Sequence, residues 1–222
     1  MGNVTLTKQN RLFWLGRYSE RVFLLTRVML ENYDNLLETG EFDIPSFCSS
    51  VGIPCEYDDG EAFIRGFTFD KDKTYSIAAS LDYMLGNGMV LREILTTPTL
   101  SYLQMAEGAL NMARVSSGPA IELQWIVDDI NAFRGSFDDM VFSEGTRNIT
   151  KAGQSIERLS LMLRLNRHPE RLIPEMDRLL KRLEKTDLKA DPACLQTVRD
   201  AVDSGEIDKS ELLPAVEGLF FI

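Results

Sequence analysis

Two stretches of the chain, LGRYSERVFLLTR at 15–27 and AGQSIERLSLMLR at 152–164, carry one spacing. Each has a glycine, a Glu-Arg pair starting four residues on, and a further arginine six residues after the first. On a helix, Gly16, Glu20, Leu24 and Arg27 fall near one face, and Gly153, Glu157, Leu161 and Arg164 repeat them in register. Arg21 and Arg158 stand about 100° round from their glutamates. A charged stripe on an otherwise apolar helix must be completed by whatever packs against it. Glycine admits a close backbone, and desolvated Glu and Arg side chains require partners. The repeat therefore predicts two long helices packed as a pseudo-symmetric pair. Glu20 would meet an arginine of the second copy, and Glu157 an arginine of the first. The planar guanidinium fork suits a carboxylate. The alternative is a charged central pocket in which Arg17, Glu20, Arg21, Glu157 and Arg158 grip an amino acid or a peptide end. No nucleophile or histidine accompanies these residues, so none is assigned a catalytic role.

Helical periodicity continues along the chain. Leu12, Leu15, Phe23, Leu24, Val28, Met29, Leu36 and Leu37 recur at helical spacing. They predict a helix over 8–39, on the order of 45 Å long, with Thr7 as N-cap and Gly40 as stop. Residues 41–73 are irregular, with short helices expected in DIPSFCSSVGIP and GEAFIRGFTF. Further helices are expected at 75–96, 99–115, 118–135, 143–166, 169–186, 192–203 and 209–217. Ser143, Asp191-Pro192 and Asp208 supply start signals. Trp125, Phe133 and Phe137 read as core. The apolar end VEGLFFI should dock on the chain's own core. No alternating β pattern is found, so the fold class is all-α, a multi-helix bundle in a single domain over 1–222.

Composition narrows the function classes. The net charge of −10 is diffuse, which disfavours duplex nucleic acid and anionic membranes. No apolar run approaches the roughly 20 residues of a membrane span, and the first residues do not read as a signal peptide. Three cysteines, Cys48, Cys55 and Cys194, lack a disulfide framework, and a cytoplasmic setting is expected. One histidine, His168, precedes Pro169 and reads as a helix-ending turn. A His-rich zinc site and a paired Glu-x-x-His di-iron site are thereby excluded within one chain. Adjacent acids at 128–129 and 138–139 have no acid four residues on, so they read as solvated face and helix end. Gly-rich nucleotide loops are missing. No cofactor and no metal is expected.

FWLGRYSERVFLLTR resembles the opening of the alpha-E family, a predicted helical domain with a conserved ER motif. SIAASLDYMLGNGMVLREIL looks like its second block, where Asn87, Arg92 and Glu93 match. FDDMVFSEGTRNITKAGQSIERLSLMLRL is similar to its third. The resemblance covers about 10–166 and leaves 167–222 as a helical extension of unassigned role. Leu85 and Met89 stand where the family has arginines, Gly86 and Gly88 replace a Glu and an Ala, and Gln154 replaces an arginine. The resemblance implies a bacterial protein of undetermined activity, associated with circularly permuted ATP-grasp ligases and transglutaminase-like proteins. The function so implied is a non-catalytic accessory subunit in peptide- or amide-bond formation. The candidate residues, for binding or as an ion-pair network, are Arg17, Glu20, Arg21, Arg27, Asn87, Arg92, Glu93, Glu157, Arg158 and Arg164.

Overall fold

The computed structural model describes residues 5–36 and 42–220, the side chain of Asp34 excepted. Every regular element among them is helical, placing the chain in the all-α, multi-helix class. It divides into two compact units. One comprises the residues up to Arg17 together with those from Ser143 onward; the other spans Tyr18–Phe142.

Helix α1 runs from Leu6 to Asp34 and contributes to both units. Its start lies two residues earlier than expected. Thr5, not Thr7, is the capping side chain, its Oγ1 accepting from the Lys8 amide at 3.4 Å. The proposed stop at Gly40, and Leu37 with it, lie outside the described residues. Leu12, Leu15, Val22 and Met29 are fully buried.

In the first unit, α1 as far as Arg17 packs on α7 (Glu144–Arg164) by a reciprocal crossing. A Cβ at Gly16 would collide with the Thr150 carbonyl and stand 3.2 Å from the Gln154 amide nitrogen. A Cβ at Gly153 would collide with the Phe13 carbonyl and stand 3.2 Å from the Arg17 nitrogen. Each glycine thus faces the residue three before, and the residue one after, the other glycine. That is the local pseudo-twofold packing the repeat predicts, and it requires the absence of a side chain at both positions. Ser143 caps α7 as expected. His168 sits at φ 52° in the turn before a short 3₁₀ segment, Pro169–Arg171. Then follow α8 (Leu172–Leu183), α9 (Pro192–Ser204) and α10 (Lys209–Gly218). Asp191 and Asp208 cap the last two. The apolar end docks: Leu219 is fully buried, its carbonyl accepts from the Asp191 amide at 2.8 Å, and the Phe220 ring lies 5.3 Å from Phe13. Phe221 and Ile222 lie outside the described residues.

The second unit holds α2 (Ile44–Val51), α3 (Gly60–Phe63), a π-helical turn over Ile64–Phe69, α4 (Ile77–Val90), α5 (Thr97–Val115) and α6 (Ala120–Met140). The short helices expected in DIPSFCSSVGIP and GEAFIRGFTF are present, and aromatic packing orders them. Phe63 and Phe67 stack at 5.1 Å, and Phe47 meets Phe63 edge-on at 5.7 Å. Cys48 is buried beside them, and burial pushes its thiol up to about 12. On α6, Leu123, Ile126, Val127, Ile130, Phe133 and Phe137 form the buried face. Trp125 is a correction: it is 45% exposed. Eight residues advance a helix by about 80° past two full turns, so Trp125 rotates off the face that holds Phe133. Among the described residues, no helix is long and apolar enough to cross a membrane.

The crossing makes a differential prediction. Gly16→Ala and Gly153→Ala should each destabilise the chain by about 1–3 kcal/mol, because backbones must separate. Gly135→Ala, whose Cβ meets nothing within 4 Å, should stabilise α6 by up to about 1 kcal/mol. Urea unfolding of the three variants decides it. Equal effects at all three would refute the close crossing.

Candidate functional site

The ten candidate residues distribute between the units. Arg17, Glu157, Arg158 and Arg164 belong to the first; Glu20, Arg21, Arg27, Asn87, Arg92 and Glu93 belong to the second.

In the first unit, each arginine of the second motif copy finds a carboxylate, as does Arg17. Arg17 Nε donates to Glu157 Oε2 at 2.8 Å, fulfilling half of the expected exchange. Its guanidinium also lies 5.0 Å from the centre of the Trp14 ring. Glu157 is buried, so this pair sits in a medium where an uncompensated carboxylate would be costly. Arg158 donates to Glu175 Oε1 at 3.0 Å. Glu175, itself buried, also accepts from Ser155 Oγ at 2.7 Å and from Arg178 at 2.7 Å. Arg164 grips Glu217 with both prongs, Nε to Oε1 at 2.8 Å and an Nη to Oε2 at 2.9 Å. Ser160 adds a third bond to Glu217 at 2.6 Å. This fork ties α7 to α10.

Burial pushes the Glu217 carboxyl upward. The hydrogen bonds from Arg164 and Ser160, with the charges of Arg164 and Arg17, overcome it and hold the group below its ordinary value of 4.5.

In the second unit, Glu20 is fully buried and accepts from Arg134 of α6 at 2.7 Å. Arg134 also donates to the Ser19 carbonyl at 3.1 Å, and its guanidinium lies 4.4 Å from the Phe23 ring centre. Arg21 lies over Tyr18 at 5.8 Å. Arg27 turns outward to Glu31 at 3.5 Å, on the surface, and covers Phe23 at 5.8 Å. Asn87 is buried within α4. Arg92 and Glu93 are exposed in the turn that follows α4. A cleft of about 860 Å³ in this unit is lined by none of the ten candidates.

Three partners escaped sequence reasoning: Arg134, Glu175 and Glu217. Two left a readable signal. Glu175 interrupts the buried stripe Leu172, Met176, Leu179, and Glu217 is the one acid within VEGLFFI. An ionisable residue on an apolar face announces a buried partner. Arg134 gave a weaker signal: it falls between Leu123 and Val127 on the buried face of α6, but a long side chain there can reach solvent, and this one stays partly exposed. Chemically, the arrangement joins helices.

The depressed Glu217 carboxyl has a definite consequence for stability against pH. Its folded value lies below its unfolded one, so its pairing stabilises the fold above about pH 4.5 and is lost as pH falls through the folded value. Glu217→Gln should therefore be less stable than the parent at pH 7, with the gap narrowing as pH falls below about 4.5. Unfolding curves at a series of pH values test this. A gap constant over that range would contradict it.

A family model described as a predicted alpha-helical domain with a conserved ER motif matches residues 9–201, reaching past 166 into the segment where sequence reading found no likeness. Comparison with curated proteins and with solved structures yields no match. With the ER helices at 6–34 and 144–164 in place, and the model covering most of its length, the chain belongs to the Alpha-E family.

Proposed function

We propose that this protein is a non-catalytic accessory subunit of a bacterial system that forms peptide or amide bonds, working with an ATP-grasp-type ligase or a transglutaminase-like protein. The partner supplies ATP, metal and chemistry. This chain supplies a rigid helical surface, in the cytoplasm.

One observation carries the reading. The motif's buried carboxylates, Glu20 and Glu157, are engaged by guanidinium groups of the chain itself. Carboxylates so engaged hold helices together, and recognition falls to outward faces. The α5–α6 hairpin offers such a face. Its last and first turns expose Val115 at 84% and Ile121 at 65%, with Met112 and Trp125 nearby in sequence and also exposed. Exposed apolar side chains gathered at one end of a hairpin suit a protein partner.

The test is purification of the tagged protein from its own cells, with mass spectrometry of what accompanies it. Near-stoichiometric recovery of an ATP-grasp ligase or a transglutaminase-like protein is expected, with loss of that partner from the double variant Val115→Ser, Trp125→Ser. Recovery of the folded protein alone would overturn the reading.

A further inference from the structure

The cleft of about 860 Å³ lies at the α5–α6 connection, against the π-helical turn. Its apolar lining includes Ile64, Phe69, Ala113 and Pro119. Pockets of this size take drug-sized or short-peptide ligands, and π-helical turns recur at functional sites.

Four charged residues line it, and they divide into two kinds. Glu61 and Arg65 form an ion pair with one another, four residues apart on the same wall. Arg114 and Asp70 do not pair. An Nη of Arg114 donates to the Phe69 carbonyl at 3.1 Å, which holds the guanidinium in place while leaving its charge without a carboxylate among the described residues. The Asp70 carboxylate accepts from the Asp72 amide at 2.9 Å and meets no cation among the described residues. Arg114 is anchored to the carbonyl of the residue that precedes Asp70 in the chain. A fixed positive pole and a fixed negative pole thus share one opening, with apolar surface about them.

We propose that this cleft binds a short zwitterionic peptide, with a terminal carboxylate on Arg114, an ammonium group on Asp70 and apolar side chains on Ile64 and Phe69. A lone anion would satisfy Arg114 and be repelled by Asp70, and a lone cation the reverse. A ligand that carries both charges meets both poles. The opening is large for a single amino acid, which favours a peptide. The cleft shares the α5–α6 connection with the proposed docking face, but titration of the isolated chain reads the cleft alone, so this test and the co-purification experiment succeed or fail separately.

Isothermal titration of the full chain with three probes tests it: the tripeptide Ala-Leu-Ala, its C-terminal amide and its N-acetyl form. The free tripeptide binds. Capping either end weakens binding about tenfold, the effect of one charge-assisted hydrogen bond. Arg114→Gln removes the discrimination between acid and amide while keeping that between amine and acetyl; Asp70→Asn does the opposite. Unchanged melting temperatures certify that both variants are folded, and Arg114→Lys, which keeps the charge, retains part of the acid preference. Absence of binding by the free tripeptide at millimolar concentration, or equal binding of all three probes, overturns the proposal.

Discussion

A carboxylate removed from water has to be met by a cation or give up its charge. Glu20 and Glu157 are both buried, and the identities of their neighbours follow from that. Arg17 reaches Glu157 because the α1–α7 crossing is close, and the crossing is close because Gly16 and Gly153 carry no side chains. Arg134 reaches Glu20 from α6. The glycine and the acid of the motif thus act with arginines outside its spacing, Arg17 next to Gly16 and Arg134 on α6. At the α1–α7 crossing glycine sets the approach, the acid sets the requirement, and Arg17 satisfies it.

The second copy extends the pairing down α7. Arg158 and Arg164 point to Glu175 and Glu217, on α8 and α10. Each of these acids also accepts from a serine of α7, Ser155 or Ser160, so the register of the helices is set by hydrogen-bond direction as well as by charge. Lone pairs of the buried Glu175 carboxylate left without donors would cost stability, and Ser155 removes that cost. Replacing the motif's arginines with lysines would keep the charge and lose the fork that holds Glu217.

Local chemistry was legible in the sequence and long-range chemistry was less so. Ser143, Asp191 and Asp208 marked helix starts because a cap acts within three residues. The Gly-x-x-x-Glu-Arg repeat gave the reciprocal crossing and the Arg17–Glu157 pair, since its spacing already encodes one helix face. In residues 41–73 the two short helical stretches were legible, but their packing was not, because rings from separate segments order it, Phe47 on α2 against Phe63 on α3. Trp125 misled because a four- and eight-residue spacing drifts around the helix. Glu20 was assigned an arginine of the second copy; the arginine that engages it is Arg134 of α6, outside the repeat and more than a hundred residues away.

The central claim is that the ER motif is a framework of buried ion pairs, and a double-mutant cycle on Glu20 and Arg134 tests it most directly. Unfolding free energies would be measured for Glu20→Gln, Arg134→Met and the double variant. The account predicts losses of about 3–5 kcal/mol for each single change, and a double variant much less damaged than their sum, since the pair is then removed as a unit and not broken. Single changes that leave stability untouched, or effects that simply add, would contradict it.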